Sequence, residues 1–168
     1  MTKTKNFELN LWDKTDRIMM EDFNADNLKI DQAILQVKLG DAELAEDATA
    51  LTFTLENPSD YRELTVYYTA SGSREMSLTV NGEEICSMFS INYSPNPIVG
   101  KIDLVLMKDR VAGFSQQVMA ANNTVYSRTG SGLLQNVDLS ESLTIGVHSI
   151  EDRVLNTGST LEVYGMKR

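Results

Sequence analysis

The residues that most often carry catalysis are scarce in this chain, which contains one histidine, His148, and one cysteine, Cys86. A Ser-His-Asp arrangement would need His148 as its base, yet no G-x-S-x-G segment presents a serine as a nucleophile. His148 belongs to an alternating stretch with Ile145 and Val147, which predicts a place on the polar side of a strand. The apolar neighbours of Cys86 favour a buried structural thiol over a reactive one.

Two further motifs have the right residue types for ligand binding but the wrong spacing. Gly130-Ser131-Gly132 opens like a dinucleotide loop, but Gln135 stands where the third glycine belongs and no helix is predicted after it, so we predict a turn. The acidic residues between Asp41 and Asp47 lack the ligand spacing of a Ca²⁺ loop, and a solvated face explains them better. The sequence therefore predicts no cofactor and no metal site.

Tyrosines in polar or loop settings are candidates for sugar binding, because an aromatic face stacks on a sugar ring while polar neighbours bind its hydroxyls. The alternative is that they are ordinary sheet-surface and interface aromatics. Glycan hydrolysis would need two facing carboxylates, which sequence spacing cannot show. The candidate glycan contacts are Tyr61, Tyr67, Tyr93 and Tyr126.

The segment that precedes these residues changes its period near Thr15. Before that point apolar residues alternate, as in a short extended segment, and from Thr15 to Val37 they follow the three-four spacing of an amphipathic helix. Phe23, Ile30 and Val37 lie seven apart, so they form a seam that suits a trimer or dimer, or else packs on the chain's own domain. The predicted interface residues are Met19, Phe23, Ile30, Ile34 and Val37.

From Leu51 onward the period is two, which predicts half-buried strands. The longest apolar run, 98–107, is one of these strands, and a tight turn is predicted after it at Lys108-Asp109. Asn81-Gly82 predicts a hairpin turn, because both residues tolerate the positive φ that a type I′ turn needs. We interpret 39–50 as a linker or a short helical turn. The predicted fold is mainly β: an N-terminal α-helix followed by a single antiparallel β-sandwich, jelly-roll-like, with about eight strands. The predicted domains are an arm with the helix at 1–48 and the β-sandwich at 49–168.

Net charge and the distribution of apolar residues argue against nucleic acids and membranes as partners. The formal charge of the 168-residue chain is −9, which repels phosphate backbones and argues against nucleic-acid binding. The sequence contains no run of about 20 apolar residues, so it predicts no membrane insertion. The first residues also lack the apolar stretch of a signal peptide. We expect a protein made in a cytoplasm that stays there unless an assembly carries it out.

Two stretches resemble small phage virion proteins. The run F-x-L-x-L-W-x-x-x-D, followed by E-D-F-N-x-D-x-x-x-I-D-x-A-I at 21–34, is similar to the opening of those proteins, in which a lead-in and a helix precede a β-rich domain. The stretch GSTLEVYGMK at 158–167 looks like the closing strand of tail-fibre and head-fibre β-sandwich tips. The resemblance covers about thirty residues well, and it carries over no catalytic residue.

These observations give two hypotheses of different classes. The first is a non-enzymatic virion protein of a tail, baseplate or capsid, made in the bacterial host cytoplasm. It would form a homo-oligomer, with a trimer favoured, contact other virion proteins and present its β-sandwich to a host-surface glycan or as capsid decoration. The second is a monomeric carbohydrate-binding or glycan-hydrolysing domain, in which residues 7–37 fold back on the sandwich.

Overall fold

The computed structural model describes residues 2–5, 8–17, 19–34, 36–72, 76–88, 97–121, 124–149 and 154–168, with backbone alone for 31–34 and 121. Within these residues there is one α-helix, α1 (Met20–Ile34), and a short 3-10 helix (Pro58–Asp60). The strands are β1 (Thr2–Lys3), β2 (Asn10–Leu11), β3 (Val37–Glu43), β4 (Ala50–Leu55), β5 (Tyr61–Ala70), β6 (Met76–Val80), β7 (Glu83–Ser87), β8 (Ile98–Met107), β9 (Arg110–Ala121), β10 (Thr124–Gln135), β11 (Leu143–Ser149) and β12 (Thr160–Lys167).

The strands of the described residues form three antiparallel sheets. A six-stranded sheet has the order β10-β9-β8-β5-β12-β3, a four-stranded sheet has the order β4-β11-β6-β7, and β1 pairs with β2. The prediction of a mainly β, antiparallel fold is confirmed. The prediction of one eight-stranded sandwich is wrong, because there are twelve strands in three sheets, and α1 comes after the β1–β2 pair instead of opening the chain.

The two larger sheets share one apolar core. On each strand alternate residues point into it, as the period of two predicted, and Leu64, Ile102 and Leu143 are fully buried. Residues of both sheets belong to the same packed cluster. We call the face of each sheet that contacts this core its inner face and the opposite side its outer face.

Part of the segment interpreted as a linker, 39–43, belongs to strand β3, and 44–49 connect β3 to β4. The residues of β3 pair with β12, from Thr160↔Glu43 to Gly165↔Val37, with a bulge between Val163 and Tyr164. Gly40 does not end the helix: a Cβ at Gly40 would lie 2.5 Å from the ring of Phe53, so the glycine lets β3 pass over that ring. The charged residues of β3 hid its period of two, because the strand lies at the sheet edge and only part of it faces the core.

The helix is shorter than predicted at both ends. It begins at Met20, and Asp13 and Asp16 before it form a local turn, in which the Asp13 backbone amide donates to the Asp16 carboxylate at 2.9 Å. It ends at Ile34, so Val37 is the first residue of β3 and does not continue a helical seam with Phe23. This helix has neither the length nor the apolar content to cross a membrane, and no other helix of the described residues has them.

The predicted Asn81-Gly82 hairpin is confirmed. Both residues have positive φ, 52° and 80°, and Val80 pairs with Glu83. The turn between β8 and β9 is also where the sequence predicted it, since Met107 pairs with Arg110.

The prediction of a turn at Gly130-Ser131-Gly132 is wrong, because all three residues lie within β10. A Cβ at Gly132 would collide with the carbonyl oxygen of Ile85 on β7, and one at Gly113 would lie 2.9 Å from the Ile85 side chain. Glycine is therefore needed here for close packing between sheets and not for chain reversal.

The predicted boundary between 1–48 and 49–168 stays a prediction. Strand β3 lies before that boundary and pairs with β12, which lies after it. Tyr93 and Phe7 lie outside the described residues.

Candidate functional site: the outer face of the six-stranded sheet

Directly paired residues of neighbouring strands point to the same face, so the register defines the rows of side chains on the outer face. One row crosses four strands as Tyr67, Lys101, Gln116 and Thr129. The adjacent row contains Thr69, Val99, Val118 and Ser127.

A groove of about 460 Å³ lies along these two rows. Its aromatic residue is Tyr67, whose side chain is 45% exposed. Gln117 and Arg128 direct their side-chain N–H groups to Ser87 and Met88 on the inner side. The polar side chains at the groove are therefore those of Lys101, Gln116, Ser127 and Thr129, beside two valines. The residues that line the groove are Tyr67, Val99, Gly100, Lys101, Gln116, Gln117, Val118, Ser127, Arg128 and Thr129.

The ring of Tyr67 is held by a second tyrosine, Tyr164. Their ring centroids are 5.7 Å apart and the planes meet at 86°, an edge-to-face contact. The Tyr164 hydroxyl in turn donates to Glu162 at 3.1 Å, and this hydrogen bond raises the pKa of Tyr164. The exposed face of Tyr67 is thus presented in a fixed orientation.

The polar side of the groove is also held in place. Lys101 Nζ lies 2.9 Å from Asp103 Oδ2, and its hydrogen bond to Asp103 raises the pKa of Lys101. The other oxygen of Asp103 accepts from Thr65 at 2.9 Å, and Thr65 accepts from Gln36 at 2.8 Å. Lys101 is therefore charged and bound on one side, which leaves its remaining hydrogens for a ligand.

The groove has the chemistry of a sugar-binding surface. An aromatic face and apolar valines suit the C–H face of a sugar ring, while Gln116, Thr129 and Lys101 offer hydrogen-bond partners for hydroxyl groups. No pair of carboxylates lines the groove, so general acid–base hydrolysis has no partners within this set of residues.

A smaller, acid-lined cleft of about 270 Å³ lies at β3 and β12, with Asp41, Glu43 and Glu162 in its wall. Lys38 Nζ lies 2.6 Å from Asp41 and 3.4 Å from Glu162. Two carboxylates that share one ammonium are typical of a surface ion-pair network, whereas a glycosidase needs one carboxyl group that keeps its proton.

The structure separates the tyrosines that the sequence grouped together. Of the four candidates, Tyr67 alone lines the groove, Tyr61 packs partly against the core, and Tyr93 lies outside the described residues. Tyr126 pairs with Met119, whose side chain packs on the core, so Tyr126 points away from the outer face. The prediction missed Gln116 and Thr129, because only the strand register brings them beside Tyr67.

The predicted interface stripe lies away from the groove. Met19, Phe23, Ile30 and Val37 are all exposed, with Phe23 at 51%, and the side chain of Ile34 is not described. The buried face of α1 is polar instead: Asp26 accepts from the Asn10 amide at 2.8 Å.

Metal and thiol chemistry find no support in the described part of the chain. There, no three His, Cys, Asp or Glu side chains come together as metal ligands would. Cys86 is buried, as predicted, and burial raises the pKa of its thiol. His148 is half-buried on β11, where it pairs with Ala50 and Ser77.

Comparison with protein-family models, with curated proteins and with solved structures finds no match to this chain.

Proposed function

We propose that this chain is a non-enzymatic structural protein of a phage virion. In this proposal it self-associates through α1, as a homotrimer, and presents its β domain for host-surface binding or as decoration of a capsid or tail. Other virion proteins are its partners, and the virion is its location. The resemblance at 7–34 and 158–167 is the basis for the virion assignment.

The observation that carries the proposal is the exposure of the α1 stripe. Phe23 and Ile30 lie one above the other on the helix, and both are exposed in the single chain. An amphipathic helix is stabilised mainly by burial of its apolar face, so a partner for this face is expected. The alternative, in which the stripe packs on the chain's own sheets, would have buried these side chains.

The connectivity supports a jelly-roll winding. With the β9–β10 hairpin set aside, β3 pairs with β12, β4 with β11, β5 with β8 and β6 with β7. These nested pairs alternate between the six-stranded and the four-stranded sheet. Jelly rolls recur in viral capsid and lectin domains, which agrees with a surface role.

The groove around Tyr67 supports the adhesive part of the proposal. It is open, lies on the face away from the core and combines an aromatic ring with hydroxyl and amide groups. We propose that a host-surface glycan binds here.

The self-association is tested by a charge placed in the stripe. Phe23→Glu should divide the particle mass by three, because three buried carboxylates cannot meet around one axis. Leu28→Glu is the matched control: Leu28 is 56% exposed and lies on the opposite side of α1, so its mass should stay that of the wild-type protein. Light scattering coupled to size exclusion measures both. Equal masses for wild type and Phe23→Glu would refute the trimer.

A second candidate function is a monomeric carbohydrate-binding domain. The observation that favours it is that the groove is lined by residues of one chain and needs no second copy. A single 18.7 kDa species that binds a bacterial polysaccharide through Tyr67 would support this candidate over the trimer.

A further inference from the structure

Strand β10 is an open edge of the six-stranded sheet. Its twelve residues pair with β9 on one side, and no strand of the described residues pairs with them on the other. Nearly every residue is exposed, and Arg128 is the one charged residue in the strand. The opposite edge, β3, carries Lys38, Asp41 and Glu43 beside a bulge in its pairing.

The two edges of this sheet differ in how well they resist pairing with another chain. Charged side chains and bulges keep an edge strand from pairing with another chain, whereas a long uncharged edge is a template for such pairing. Strand β3 has three charged side chains and a bulge in its pairing, whereas β10 has one charged side chain, Arg128, and no bulge. Two copies of a chain with a formal charge of −9 repel each other, so contact between them is favoured at a region without carboxylates. Strand β10 has no carboxylate.

The free backbone groups of β10 can be assigned from the register. Met107 and Arg110 close a two-residue turn, so they form a hydrogen-bonded pair, and such pairs alternate along an antiparallel ladder. The even-numbered residues of β9 therefore bond to β8 and the odd-numbered ones bond to β10. Through the pairing of Met119 with Tyr126, the even-numbered residues of β10 bond to β9. The odd-numbered residues of β10, Val125 to Leu133, are left with their N–H and C=O groups directed at the open edge.

The outer-face side chains of these odd-numbered residues have the same types, aliphatic and serine, on either side of Thr129. Centred on Thr129, the strand has serines at Ser127 and Ser131 and exposed aliphatic residues at Val125 and Leu133. Val125 is 70% exposed and Leu133 is 51% exposed. If two copies of β10 align antiparallel about Thr129, aliphatic meets aliphatic, serine meets serine and threonine meets threonine. These are favourable cross-strand pairs.

The even-numbered residues are complementary in size in the same alignment. Tyr126 comes opposite Gly132 of the second copy, and Arg128 comes opposite Gly130. Neither glycine has a side chain that could collide with the larger residue across from it. Arg128 meets no second charge, and it is held by its own chain through the Met88 carbonyl at 2.7 Å. A shift of two residues along the strand removes the Val125–Leu133 match.

We propose that two copies of this chain pair through β10, antiparallel and about a twofold axis at Thr129, so that their six-stranded sheets join into one. The interface is isologous, since the same strand serves both copies. It contributes about ten backbone hydrogen bonds, roughly one for each paired residue.

The pairing would also join the two grooves. Because Thr129 lies on the axis, the row from Tyr67 to Thr129 continues into the same row of the second copy. The two Tyr67 rings are then seven strand spacings apart, about 34 Å along the sheet. A surface of this length suits a polysaccharide chain. This consequence rests on the proposed glycan site, whereas the pairing itself does not.

Cysteine cross-linking tests both the pairing and its register. In Thr129→Cys the two thiols lie in directly opposed residues about 5.5 Å apart, measured between Cα atoms, so mild oxidation should link most chains into a covalent dimer. Ser127→Cys alone should not link, because its two copies are more than about 13 Å apart. A mixture of Ser127→Cys and Ser131→Cys chains should link. Wild-type protein is the background control, since Cys86 is buried.

The experiment is done with Phe23→Glu present, so that contacts through α1 play no part. In that background the predicted species has twice the 18.7 kDa of one chain, and Val125→Lys should halve its mass. Val154→Lys is the matched control, because Val154 is an exposed valine outside both β10 and the groove. A dimer in the Phe23→Glu background supports the β10 pairing even if the trimer through α1 fails. A single chain without Thr129 cross-links would refute the β10 pairing.

Discussion

At the scale of single residues, Tyr67 is the side chain on which glycan binding would depend. Its ring is exposed and held at right angles to that of Tyr164. Tyr67→Ala should lower the affinity for a bacterial surface polysaccharide about fivefold, since stacking is worth about 1 kcal/mol. Tyr67→Phe keeps the ring and should stay within about threefold of wild type.

Isothermal titration against a panel of purified bacterial surface polysaccharides measures this effect. Tyr61→Ala is a second control, because Tyr61 lies outside the groove. Equal affinities for Tyr67→Ala and wild type would exclude Tyr67 as the contact.

The neighbouring tyrosine on the inner face, Tyr68, predicts a pH dependence. Its hydroxyl is buried without a hydrogen-bond partner in the described part of the chain, and burial raises its pKa far above the usual range. In the unfolded chain tyrosine ionises near pH 10, at about its ordinary value. The folded protein therefore keeps a proton that the unfolded chain loses, and the free energy of unfolding should fall as pH rises above about 10.

Tyr68→Phe should reduce this alkaline loss and stabilise the protein by about 1 kcal/mol at neutral pH, because it removes an unsatisfied buried hydroxyl. Urea unfolding between pH 7 and 11 measures both effects, with Tyr67→Phe as the exposed control. A Tyr68→Phe protein less stable than wild type at pH 7 would mean that the hydroxyl has a partner.

At the scale of elements, β3 decides where the folded β domain begins. Its pairing with β12 extends along seven residues, whereas most of the described side chains of α1, at 20–30, are exposed. A chain that starts at residue 36 should therefore keep the β domain folded. A chain that starts at residue 49 loses β3, uncovers the edge of β12 and should be less stable by several kcal/mol.

Thermal unfolding of the two truncated proteins compares them directly. The β-strand signal in circular dichroism should be similar in the full chain and in the chain from residue 36. If the chain from residue 49 proves equally stable, the boundary predicted at residue 48 is the better one.

The sequence predicted the strands whose alternation is uniform and missed those whose alternation is interrupted. β8 is bounded as predicted, because its apolar residues alternate throughout and a two-residue turn follows it. β3 was missed because it lies at an edge and carries charges, and β10 was cut short because its glycines resemble a turn. Gly132 leaves room for the carbonyl oxygen of Ile85, which is distant in the sequence, so no local pattern encodes this contact.

In the candidate site, too, only the residue marked by a local pattern could be predicted from the sequence. Tyr67 could be chosen from the sequence as an exposed aromatic in a polar setting, but its neighbours Gln116 and Thr129 belong to other strands. Their position depends on the register of three strand pairs, which the sequence alone does not determine. The exposed α1 stripe was predictable to a larger extent, since helical spacing is a local property.

At the scale of the whole molecule, we propose a β domain with two separate regions for contact between copies. One is the stripe on α1, and the other is the open edge of β10. The groove extends from β5 to β10 on the outer face. Association of copies would therefore present several grooves on one particle and raise the avidity for a repeated surface glycan.

The most direct test of the central claim, that the chain self-associates through α1, is the mass of the full-length protein at equilibrium. Sedimentation equilibrium at micromolar concentration should give a multiple of three times 18.7 kDa, and the chain from residue 36 should lose that factor of three. A full-length protein that sediments as a single 18.7 kDa chain, with the amides of α1 protected from hydrogen exchange by its own sheets, would contradict the account.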